Sequence, residues 1–74
     1  MDQRPAERTA GAVRAELARR RITGRQLARD LGWPHTNLNR RLTGETPFRV
    51  DELHTIANHL GVPVATLLTE DVAA

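Results

Sequence analysis

Gly32-Trp33-Pro34 interrupts the chain where two helical patterns would otherwise run together. Glycine adopts the left-handed conformation without steric cost, and the residue before a proline is pushed out of the helical region. A second helix must therefore stop at Gly32, and Trp33 must lie in the turn. Pro34 is placed to start a third helix with its φ already set. The stretch from Thr23 to Thr43, TGRQLARDLGWPHTNLNRRLT, thus reads as two short helices joined by a tight turn. Thr23-Gly24-Arg25-Gln26 fits a capping box, in which threonine and glutamine each satisfy the other's backbone N–H. Helix 2 is expected from Gly24 to about Leu31, with Leu27, Ala28 and Leu31 as its inner stripe. Helix 3 is expected from about Pro34 to Thr43. Leu38 and Leu42 form its buried line, and Gly44 stops it.

The remaining helices follow from the same signals. Residues 1–8 are polar and read as a frayed tail. Helix 1 starts anywhere from Pro5, which suits a first helical position, to Thr9, a cap candidate, and runs to about Arg21. Val13 and Leu17 face inward, as does Ile22 beyond them. Arg19, Arg20 and Arg21 crowd its last turn, where cations favour the negative end of the helix dipole. They read equally as a solvated helix end or as a flanking phosphate contact. After the loop Glu45-Thr46-Pro47, helix 4 begins near Arg49 or Val50, with Asp51 and Glu52 in its first turn. Its stripe is Val50, Leu53, Ile56, Ala57 and Leu60, and Gly61 ends it. Pro63 restarts a last short helix with Val64, Leu67 and Leu68 as its apolar face. Nothing alternates with period two, so no strand is expected. The predicted fold is all-α, a compact five-helix bundle over residues 9–69 with loose tails at 1–8 and 70–74.

Seventy-four residues make one domain at most. The absence of cysteine excludes a disulfide framework and a thiolate metal site. No apolar run approaches the roughly 18 residues of a membrane span, so the expectation is a soluble, cytoplasmic, nucleoid-associated domain. All eleven basic side chains are arginines between Arg4 and Arg49. Residues 1–49 hold five acids against them, a surplus of six positive charges, while residues 50–74 hold four acids and no arginine. Such a dipolar molecule turns one side toward a polyanion. His54 and His59 lack a third ligand and read as surface residues, so no metal or cofactor is expected. There is no HExxH, no glycine-rich phosphate loop and no Ser/His or Cys/His constellation, and an enzyme is not expected.

The outward side of helix 3 carries the functional signal. With Leu38 at 0° and about 100° per residue, Leu42 falls near 40°, so the core direction is near 20°. Thr36, Thr43 and Arg40 fall at about 160°, 140° and 200°, nearly opposite it. His35 and Asn39 lie on one flank, Asn37 and Arg41 on the other. The DNA major groove admits a helix, and Thr, Asn and Arg are among the side chains that read its base edges. No acid lies between Pro34 and Gly44 to repel phosphate.

Leu27-Ala28, Leu31-Gly32, Leu38 and Gly44, followed by Ile56-Ala57, Leu60-Gly61-Val62 and Leu67, carry a family pattern. Over roughly residues 9–69 the chain resembles the helix-turn-helix domains of the phage-repressor and Cro-like class, the XRE-type regulators. The resemblance implies a sequence-specific DNA-binding regulator, a repressor of phage or mobile-element type, that puts helix 3 in the major groove. It implies base-reading positions at His35, Thr36 and Arg40 with Asn37 or Asn39 assisting. It implies phosphate contacts at Thr23, Thr43 and Arg49. Two residues depart from the pattern. Gly24 stands where relatives often carry a glutamine that contacts DNA, and Arg25 or Gln26 then compensates, or the contact is absent. Arg41 stands at a position usually apolar; it either reaches a phosphate or pairs with Glu45. Trp33 reads as core edge rather than a stacking platform.

Double-stranded DNA is therefore the expected partner, with no membrane partner. Regulators of this type usually bind as dimers, and the expected assembly is a weak homodimer through the C-terminal helix, or a monomer on an asymmetric site. The alternative function is a protein-interaction module, antitoxin- or adaptor-like, that uses Leu67, Leu68 and Val72.

Overall fold

The computed structural model describes residues 5–68. Among these residues it holds four α-helices: α1 (Pro5–Arg19), α2 (Gly24–Leu31), α3 (His35–Leu42) and α4 (Val50–Leu60). A single 3-10 turn follows at Val64–Thr66, and no strand forms among the described residues. The all-helical expectation stands, and the count of five helices is corrected to four plus this turn. Pro63 is an extended cap residue, with ψ 142°, and two of the three residues after it are β-branched. One turn carries the nucleation penalty without propagation, and the tighter i→i+3 bonding suits so short a piece. Thr66 and Leu67 accordingly donate to the carbonyls of Pro63 and Val64, each at 2.9 Å.

α1 begins at Pro5, the earlier of the two starts, so residues 5–8 are its first turn rather than part of a tail. The tail expected at 70–74 lies outside the described residues. Thr9 is not a cap: it sits inside α1, buried, and its hydroxyl finds no hydrogen-bond partner among the described residues. α1 ends at Arg19, two residues earlier than expected. Arg21 turns left-handed at φ 57°, and Ile22 N–H then reaches back to the Leu17 carbonyl at 2.9 Å. This closes the helix end as glycine usually does, but with a side chain that disfavours the conformation. Arg21→Gly should therefore stabilise the fold by about 0.5–1 kcal/mol and raise the thermal midpoint by several degrees. A thermal melt followed by circular dichroism checks it; a lower midpoint would mean that the exposed Arg21 side chain stabilises the fold.

One core joins all four helices. Val13 and Leu17 of α1, Leu27 of α2 and Leu38 of α3 meet Leu53 and Ile56 of α4, and Leu67 closes the cluster at 0% exposure. Val50, expected in the buried stripe, is 58% exposed. It is the first residue of α4, and Phe48 of the preceding loop packs against the core. Gly44 is required twice over. Its φ is +87°, and a Cβ there would lie 2.9 Å from Glu7 Cγ and 3.2 Å from Glu7 Cα. The first turn of α1 thus lies against the turn that follows α3, and supports the end of that helix.

Candidate nucleic-acid interface

The α2–turn–α3 unit is built by local chemistry. Thr23 is extended at φ −83° and ψ 158°, and its Oγ1 accepts the Gln26 N–H at 3.0 Å. Gln26 Oε1 accepts the Thr23 N–H, also at 3.0 Å, completing the capping box. Gly32 ends α2 left-handed at φ 72°, and Trp33 N–H bonds to the Ala28 carbonyl at 2.9 Å. Trp33 is half-buried and packs against the core, as expected. Pro34 has φ −61° but ψ 130°, so it caps α3 from outside and the helix starts one residue later, at His35. A proline cap has no side-chain acceptor, and the first-turn N–H groups of α3 receive no cap bond.

Leu38 and Leu42 turn α3 onto the core, at 1% and 8% exposure. His35, Thr36, Asn37, Asn39, Arg40 and Thr43 are all exposed. His35 and Asn39 of α3, with Thr43 just beyond it, line one open groove of about 810 Å³ together with Arg25 of α2 and its cap Thr23. Its floor is apolar, formed by Leu17, Ile22 and Leu42, and no acid lines it. The start of α2 adds the positive end of a helix dipole, which favours anions. Two hydroxyls here are already engaged. Thr23 serves the cap, and Thr43 donates its proton to the Arg40 carbonyl at 3.0 Å. A phosphate bond from Thr43 requires that hydroxyl to turn. Arg49 lies apart from this groove, at the start of α4, with its side chain 73% exposed and 3.3 Å from Asp51. Such an exposed pair contributes about 0–1 kcal/mol and leaves the arginine easily diverted.

Both departures from the family pattern have a physical reason. A Cβ at Gly24 would lie 2.8 Å from Leu42 Cδ1, so a side chain there requires the tip of that leucine to shift. Arg41 pairs not with Glu45 but with Glu52. Its Nε donates to Glu52 Oε1 at 2.9 Å, and its terminal nitrogen donates to the Asn37 carbonyl at 3.1 Å. Glu45 lies beyond the left-handed Gly44, so it no longer follows the helical spacing of α3. Glu52, on the first turn of α4, faces Arg41 and also accepts the Arg49 N–H at 2.8 Å. Arg41 is a half-buried brace between α3 and α4 rather than a free cation awaiting a phosphate.

The arginines at the end of α1 are tied as well: Arg19 and Arg20 both donate to the buried carboxylate of Glu16. One contact escaped the sequence reading altogether. Arg14 of α1 donates to the Leu42 carbonyl, across 28 residues of chain, with no local spacing to announce it. His54 is exposed, and His59 Nε2 lies 3.3 Å from Asp30 Oδ2, linking α4 to α2. Among the described residues no group of three His or acidic side chains is arranged to hold a metal. No helix there is long and apolar enough to cross a membrane.

A family model described as a helix-turn-helix domain matches residues 8–69. The chain belongs to the helix-turn-helix domain family. No curated protein and no solved structure matches it. The matched span runs from the first turn of α1 to just beyond the 3-10 turn, so the flanking helices are part of this helix-turn-helix domain. Leu67 and Leu68 are not a free face for a partner, as the expected homodimer and the interaction-module alternative required. Leu67 is fully buried in the domain's own core and Leu68 packs beside it. Val72, the third residue of that surface, lies outside the described residues. Nothing in the described structure supports the homodimer.

Proposed function

We propose that this helix-turn-helix domain is a sequence-specific double-stranded DNA-binding regulator of transcription, a repressor, that lays α3 in the major groove. The observation that carries the reading is the division of α3. Two leucines hold it to the core, while five side chains able to donate to or accept from base edges stand exposed on an acid-free helix. In this reading Arg40 holds a guanine edge bidentately, Asn39 or Asn37 addresses adenine, and Thr36 meets a thymine methyl. His35 touches a base or phosphate near the start of the helix. Thr23 and Arg25 at the start of α2, Thr43 and Arg49 meet phosphates, which fix register without reading sequence. Arg41 is left out of that set because Glu52 holds it. The interaction-module reading loses its surface with the burial of Leu67. The chain has no catalytic role in this reading, and a chromosomal ligand would keep it inside the cell.

Selection of bound duplexes from a random library tests the proposal. The expected result is an enriched site of several base pairs; no enrichment over the starting pool would overturn it. The symmetry of the site reports the assembly, since two copies on one face of the duplex read half-sites about 34 Å apart. A companion variant, Arg49→Ala, should weaken binding to preferred and random duplexes alike and lower the salt slope by about 1. A loss confined to the preferred duplex would remove Arg49 from the phosphate set.

A further inference from the structure

α3 is only two turns long, and the fate of its last four carbonyls can be followed one by one. The Asn39 carbonyl accepts the Thr43 N–H at 3.0 Å, and the Arg41 carbonyl accepts the Gly44 N–H at 3.2 Å. The Arg40 carbonyl accepts both the Thr46 N–H at 3.1 Å and the Thr43 hydroxyl at 3.0 Å. The turn that follows the helix thus serves three of the four. The fourth, Leu42, is served from across the fold by the guanidinium of Arg14 on α1. The opposite end of α3 has no side-chain cap, because its cap residue is Pro34. Apart from its core leucines, α3 is therefore held by hydrogen bonds mainly at its C-terminal turn, where α1 contributes the Arg14 bond and the packing of Glu7 on Gly44.

We propose that Arg14 is a positioning residue that sets the base-reading specificity of α3. This deepens the DNA reading above and rests on it. The cation sits at the negative end of the helix dipole and holds the carbonyl two residues beyond Arg40. Removing it loosens the last turn, which carries Arg40 and leads into Thr43. Bidentate base contacts depend on a fixed helix pose, whereas charge attraction to phosphate tolerates small displacements. Discrimination between sites should fall before overall affinity does.

The test compares Arg14→Met, which keeps the stem and removes the donors, with Arg14→Lys, which restores a cationic donor. Binding to the selected duplex and to a random duplex is measured over a series of salt concentrations, well below the melting midpoint of each variant. The expected result is about a tenfold loss on the selected duplex for Arg14→Met, the scale of one charge-assisted hydrogen bond, with partial recovery in Arg14→Lys. Affinity for the random duplex and the salt slope should stay unchanged. Equal loss on both duplexes with a slope lower by about 1 would make Arg14 a phosphate contact and overturn the proposal. Full discrimination retained by Arg14→Met would also overturn it, with the DNA reading intact. A parent protein that selects no duplex would overturn both.

Discussion

Leu38→Ala should destabilise the fold by about 2–5 kcal/mol, the range for deleting a buried leucine side chain without collapse of the cavity. Leu38 is 1% exposed and lies under the middle of α3, where it meets leucines from α1, α2 and α4. A domain of this size is stable by only about 4–11 kcal/mol, so this one change removes a large share. The thermal midpoint should fall by about 10–30 °C. DNA binding should be lost at temperatures where the parent still binds, because α3 loses the contact that aims its outer face. Asn37→Ala, one residue earlier and exposed, should stay within about 0.5 kcal/mol of the parent. Urea and thermal unfolding of the two variants measure the contrast. A loss below about 1 kcal/mol for Leu38→Ala would mean that α3 is not seated on the core as described.

The parts of this arrangement that were legible in the sequence are those whose physics is local. The Thr23–Gln26 box closes within four residues, and the stops at Gly32 and Gly61 depend on one residue's freedom at φ 72° and 73°. Leu38 and Leu42 share a face by helical spacing alone, which fixes the outward face as well. What stayed hidden depends on which helices meet. Arg41 chose Glu52, eleven residues away and on another helix, over the Glu45 that local spacing offered. Arg14 found the Leu42 carbonyl through the packing of α1 on α3. Val50 fits the stripe of α4 but stands exposed, and Phe48, which fits no stripe, packs against the core. Leu67 looked like a sticky terminus because the core that swallows it is assembled from four distant segments. Arg21 hid for a different reason: helices usually close on glycine, and a left-handed arginine leaves no mark in the sequence.

Arg40→Ala should relax preference at a single base pair, by about 1–3 kcal/mol or roughly 10- to 100-fold. The fold should survive the change. Arg40 is exposed, alanine is the best helix former, and the bonds that lock this turn go to the Arg40 carbonyl rather than to its side chain. The measurement is competition between the selected duplex and its single-base-pair variants, for parent and mutant side by side. Direct readout requires that the mutant treat all bases alike at one position while keeping the parent's preferences elsewhere. Arg40→Lys separates geometry from charge: it keeps the cation but loses the planar fork that matches a guanine edge, so it should behave more like alanine at that position. If Arg40→Ala instead lost affinity equally on every duplex, with the salt slope reduced by about 1, while Arg40→Lys kept most of the parent's affinity, Arg40 would be a phosphate contact. The base-reading side of α3 would then have to be sought toward His35 and Asn39, on the flank that faces the groove beside α2.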